Sequence, residues 1–151
     1  MAVVAIALIL AGAADAATTA SLSRAESSLL TAMNQVRQAY GLRALHADGR
    51  LERAARSHSS RMLRTGTFAH GAFSTRIRRV GIRAPRVGEN LAWSDGILAR
   101  ANAMVQMWLA SPEHRANLLH PGYWIVGVGA VRGTYDGHAG ALMVTTDFAG
   151  R

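Results

Sequence analysis

Apolar positions in this chain keep helical spacing through most of its length and turn strand-like only near the end. Ser23-Arg24-Ala25-Glu26 forms a capping box, and Leu29, Met33, Val36 and Tyr40 follow as the buried stripe of a first helix. Asn34 and Arg37 lie off that stripe, and Gly41 stands where a helix-ending glycine belongs. A second helix is predicted from about Asp48, with Leu51, Ala55, His58 and Met62 on one face and Gly66 at its end. Thr67 to Gly71 reads as a connector carrying His70. Ser74 then caps a turn or two that points Ile77 and Val80 inward and arginines outward. Pro85 to Trp93 reads as a loop entering a short extended segment. Ser94-Asp95-Gly96 opens a third long helix with the stripe Ile97, Ala101, Met104, Val105 and Trp108.

The stretch Val105–Gly129 changes register three times. Ser111 suits an N-cap, Pro112 the first helical position and Glu113 the positive end of a helix dipole, so a new short helix starts there with His114 in its first turn. His120-Pro121-Gly122 stops it. Trp124–Val131 and Ala141–Phe148 read as two buried strands, and RGTYDGHAG between them as a hairpin loop. Both strands are near-continuously apolar, so helices should cover them. The expected architecture is α+β, one domain, with a short antiparallel sheet between helical layers.

Composition adds a compartment and a charge. The chain has 151 residues, half of them hydrophobic, enough for one real core. Val3–Ala14 is a small-apolar run too short to span a bilayer, and Ala14-Asp15-Ala16 offers the small residues of a cleavage site. Residues 1–16 are therefore expected to be a secretory signal, although no cationic residue precedes Val3; a buried N-terminal helix is the alternative. Residues 17–28 form an extension and the start of the first helix. A secreted, extracellular or periplasmic protein follows, with no transmembrane segment in its mature chain. Cysteine is absent, which excludes disulfides and a cysteine-borne lipid anchor. The net charge is +8, and all 17 basic residues are arginine. A GC-rich genome explains arginine usage blandly; an acidic partner explains it functionally. Arg76, Arg78, Arg79, Arg83 and Arg86 cluster, but no aromatic residue interleaves with them, so no nucleic acid is expected. Anionic cell-wall polymer or lipid headgroups fit an exported protein better.

The familiar catalytic signatures are missing: no G-x-S-x-G, no H-E-x-x-H, no phosphate-binding loop and no cysteine nucleophile. What remains is His58, His70, Glu89, Glu113 and His114. Two imidazoles and a carboxylate could bind a divalent transition metal or act as a general acid/base pair. Glu89 sits beside apolar Val87, Leu91 and Trp93; if buried, it needs a histidine or an arginine. His58 points inward and reads first as a core histidine. His46, His120 and His138 fall in expected loops without a role.

A series of motifs then occurs in order: N-x-x-R at Asn34–Arg37, Gly41-Leu42, HSSRMLRTGTFAH from His58 to His70, and GENLAW at Gly88–Trp93. W-x-x-S-P-x-H-R-x-N-L-L at Trp108–Leu119, VGVG at Val126–Gly129 and TTDFA at Thr145–Ala149 complete it. The series resembles the CAP superfamily (cysteine-rich secretory proteins, antigen 5, pathogenesis-related 1), in the form of its bacterial SCP-like extracellular branch. The resemblance implies a domain over 29–151, a three-layer α-β-α sandwich and a surface cleft of two histidines and two acidic residues. His70, Glu89 and His114 match three of these. The fourth position is Ser111 here, with Glu113 nearby, so the cleft is expected to hold a triad lined by His58, Ser111 and Glu113. A mechanism needing two carboxylates is not carried over. The resemblance allows zinc or another divalent metal on His70 and His114, or a small amphipathic, lipid or glycan ligand. It leaves open a metal-assisted or acid/base hydrolase of peptide or cell-wall substrates, a structural wall-binding role, and the oligomeric state.

Overall fold

The computed structural model describes residues 21–151, so the expected signal segment lies outside the described residues. Helix α1 (Arg24–Ala39) starts as the capping box requires: Ser23 accepts from the Glu26 amide and Glu26 accepts from the Ser23 amide. Asp48 caps α2 (Gly49–Thr65), and Gly66, at φ 63°, ends it. Helix α3 (Phe73–Arg79) begins one residue before Ser74, so the expected serine cap is not made.

The third long helix is shorter than its pattern suggested. A single 3₁₀ turn, Gly96–Ala99, precedes α4 (Ala101–Ala110), and the break leaves Ile97 66% exposed and off the buried stripe. Tyr40 likewise leaves its stripe: it caps α1, and its ring lies under the Arg115 guanidinium. Arg37, expected off the stripe, is fully buried. It donates to the carbonyls of Arg43, Leu118, His120 and Tyr123. A planar fork with five donors can hold a folded-back segment in this way. Helix α5 (Pro112–Leu118) starts at Pro112 with Ser111 in the N-cap position, as expected.

The strands are β1 (His46–Ala47), β2 (Arg86–Ser94), β3 (Tyr123–Tyr135) and β4 (His138–Gly150), in the order β1-β3-β4-β2. β1 pairs parallel with β3 and the other pairs are antiparallel, so the sheet is mixed at one edge. His46 lies in that short strand. The long expected hairpin loop is mostly strand. Only Asp136 (φ 48°) and Gly137 (φ 78°) turn, the two positive φ values that a two-residue hairpin needs.

Alternation along β3 sends Val126 and Val128 to one face and Gly127 and Gly129 to the other. The valine face packs under α1, α4 and α5 in one core with Met33, Trp108, Val144 and Phe148. The glycine face meets α2. A Cβ on Gly127 would land in the backbone of Leu51 and Glu52, and one on Gly129 in that of Ala55 and Arg56. VGVG therefore exists so that α2 can lie directly on the sheet. This face has two smaller apolar clusters, one around Leu51, Ile77 and Ala149 and one around Met62, Leu91 and Met143. Polar side chains occupy the space between them.

Candidate functional site

That polar gap is built by strand register. Glu89 on β2, Asp147 on β4 and Gly127 on β3 are paired across the sheet and share one face. Gly127 brings the α2 backbone down beside them. Glu89 is 5% exposed and Asp147 fully buried. Two carboxylates in such a place demand compensation.

A buried Glu89 was expected to need a histidine or an arginine, and it has both. Its Oε1 accepts from His70 Nδ1 at 2.7 Å, and its Oε2 is bonded by the Arg76 guanidinium. Arg76 Nη2 also lies 3.4 Å from Asp147 Oδ1, and Nη1 donates to the His70 carbonyl. Because the carboxylate can only accept, His70 carries its proton on Nδ1 and turns Nε2 outward. The His70 side chain is 58% exposed. The dyad thus has a buried end and a wet end.

The carboxylates interact directly, and burial pushes both upward: Glu89 to about 7 and Asp147 to about 8, with Arg76 pulling each back down. Both cannot ionise side by side beside one guanidinium. The pair therefore keeps one proton at neutral pH. Asp147 carries it, being deeper, farther from Arg76 and left with an unpartnered Oδ2. Glu89 is the ionised member, facing Arg76 and His70.

His58 is buried 4.0 Å from Glu89 Oε2, and its Nε2 donates to the Ala69 carbonyl. Burial and then the Arg76 charge press it down to about 4, so it is neutral. It buttresses the connector that carries His70. On the other side, α5 is tied to the free edge of β2. Asn117 donates to the Glu89 carbonyl and to Asn90 Oδ1, and Asn90 donates to the His114 carbonyl. These bonds hold the start of α5 beside Glu89. His114 is half-buried; burial first, then the nearness of His70, lowers its proton affinity, against Glu113.

Glu89 is thus in direct contact with His70, with His58 behind them, while His114 stands on the helix that Asn90 and Asn117 tie to the same strand. Ser111 is half-buried at the head of α5, and Glu113 is exposed on it. The fourth polar member is instead Asp147, which the sequence reading missed together with Arg76. The signal for Asp147 was a lone acid inside the apolar strand ALMVTTDFAG. Arg76 sits on the same face of α3 as Phe73 and Val80, three and four residues away. Treating all the arginines of this segment as outward hid it. His138, expected to lack a role, pairs with Asp95 at 2.7 Å, and His120 accepts from the Gly122 amide and stacks on Tyr123.

Among the described residues, no group of three or more histidine, aspartate or glutamate side chains is placed to hold a metal ion. The Glu89 oxygens are spent on His70 and Arg76, and Asp147 lies behind Arg76. The imidazole nitrogens of His70 and His114 not engaged by these contacts are the remaining histidine donors on this side of the sheet. No helix among the described residues is long and apolar enough to cross a membrane.

Comparison with known proteins agrees with this fold. The uncharacterized protein YkwD of Bacillus subtilis is 31% identical over 116 residues, covering 74% of this chain and 44% of YkwD. The crystal structure of an extracellular SCP-domain protein from Bacillus anthracis superposes with a TM-score of 0.70 at 26% identity, over 84% of this chain and 40% of that one. The manganese-bound structure of Ac-ASP-7 shares the fold at 12% identity and a TM-score of 0.60, over 89% of this chain and 73% of that one. This chain thus spans less than half of the first two relatives, both of which carry additional sequence. The family model for the cysteine-rich secretory protein family matches residues 30–148, so this chain belongs to the CAP family, with its α-β-α sandwich.

Proposed function

We propose that this is a secreted domain whose cleft binds a divalent cation, zinc foremost, through the outward ring nitrogens of His70 and His114. One observation carries the reading: buried Glu89, fixed by Arg76, accepts the hydrogen bond of His70 Nδ1 and leaves Nε2 as a lone pair at the surface. Metal-binding histidines are characteristically oriented by such a carboxylate. Two imidazoles without a third side chain suit an open, exchangeable site, not a closed structural one. A bound cation would supply Lewis-acid character to whatever fills its remaining positions. His114 contributes because it stays neutral and ready to donate. His58 supports the connector that carries His70, and Asn117 ties the helix that carries His114 to β2.

Zinc titration by calorimetry tests this. His70→Ala with His114→Ala should abolish binding, and Glu89→Gln should weaken it by roughly 10- to 100-fold through loss of ring orientation. Unchanged affinity in the double variant overturns the reading. A second reading, acid/base hydrolysis of a peptide or cell-wall substrate, draws on the same carboxylate-held imidazole, which is the arrangement of a general base. It requires hydrolysis by the wild type that Glu89→Gln lowers; equal activity in both, or none in either, removes it.

A further inference from the structure

A groove of about 550 Å³ runs between α2 and α3, and His58 and Arg76 are among the residues that line it. Its floor is apolar, formed by Ala54, Met62, Ala72 and Val80. Arg53 and Arg61 lie along one wall and Arg79 along the other. All three are exposed, and none is among the ion pairs of the described residues, which engage Arg50, Arg56 and Arg76. Eight residues separate Arg53 from Arg61, about 12 Å along the helix. Ser57, Thr65, Thr67 and Thr75 add hydroxyls to the same walls. No carboxylate and no phenylalanine, tyrosine or tryptophan lines the groove, and its one ring, His58, is buried with its Nε2 bonded to the Ala69 carbonyl.

We infer that this groove binds a linear polyol phosphodiester, a chain of alternating phosphates and hydroxyl-bearing carbon units. Guanidinium forks favour phosphate oxygens, and their separation suits several charges along one chain better than a single anion. The hydroxyl side chains match polyol units. No exposed ring is present for bases to stack on, the feature by which single-stranded nucleic acids are held. The missing carboxylates leave no internal competitor for the arginines. The site is independent of the metal reading, since it uses neither His70 nor His114.

The test uses a synthetic poly(glycerol phosphate) oligomer titrated into the protein at several salt concentrations. Three engaged arginines give a slope of log K against log salt near −2, hence roughly a 20-fold loss of affinity between 50 and 200 mM salt. Arg61→Gln with Arg79→Gln should bring the slope to about −0.7. Both residues are exposed, so the variant should fold. Arg24→Gln with Arg100→Gln removes two equally exposed charges elsewhere and should leave binding within about twofold. Equal losses in the two double variants would overturn the proposal in favour of diffuse attraction by net charge. So would binding of a deoxythymidine oligomer of matched charge with the same affinity, or no saturable binding at all.

Discussion

Replacing Asp147 by asparagine should make the protein less sensitive to pH, and by an amount that can be worked out. Asp147 is fully buried, and its acid is pushed up to about 8 from an ordinary 3.8. The folded chain therefore holds a proton that the unfolded chain has released throughout that interval. A folded-state value above the unfolded one means stability is greatest below pH 3.8 and is lost as pH rises towards 8. The slope is about 1.4 kcal/mol per pH unit for one proton. His58 works in the opposite direction: pressed from 6.5 down to about 4, its stabilisation is lost as pH falls through that interval. The two slopes offset one another below pH 6.5. Above it His58 is largely neutral in both states, and the carboxylate pair sets the slope, since burial pushes Glu89 up as well as Asp147. From pH 6.5 to 8 the wild type should lose on the order of 2 kcal/mol, at least one proton's slope over that interval, tapering as the pair itself ionises. Asparagine copies the protonated acid in shape and still offers a donor to Glu89. Asp147→Asn should match the wild type within about 1 kcal/mol at low pH and gain on it steadily up to pH 8. Urea unfolding of both proteins at half-unit pH steps measures the difference directly. Parallel curves from pH 6.5 to 8, or a variant equally destabilised at every pH, would refute the shared-proton argument.

Two further substitutions test the frame around the site. Gly127→Ala should cost about 3 kcal/mol and lower Tm by roughly 10 °C, because the new methyl meets α2 backbone. Gly133→Ala, which meets only the Leu63 side chain, should cost far less in the same calorimetric scan. Arg37→Met should destabilise by about 3–5 kcal/mol in denaturant unfolding, since it keeps the apolar stem but orphans four carbonyls.

Much of the fold was legible in the sequence because its signals are local. The Ser23–Glu26 box, the helix start near Asp48, Gly66 and the Pro112 start are each decided by a few adjacent residues, and each appears as expected. Failures came where a distant partner decides. Arg37 looks like a surface residue until the α5–β3 connection folds over it. The apolar Ile97 was assigned inward by period alone, but a 3₁₀ turn rotates it out. In the site, Glu89 was recognisable as an acid that would need a cation, because its neighbours are apolar. Asp147 was not, since its role follows from a register that pairs it with Glu89 across two strands 58 positions apart. The expected fourth position at Ser111 came from the resemblance; the chain places its second carboxylate in the sheet instead.

The central claim is that Glu89 holds the proton of His70 on Nδ1 and so presents Nε2 beside His114. Long-range nitrogen–proton NMR of labelled histidines reads this directly, before and after one equivalent of zinc. The account predicts an Nδ1-protonated His70 in the free protein and simultaneous shifts of the His70 and His114 rings on zinc addition. An Nε2-protonated His70, or two rings unmoved by zinc, would contradict it.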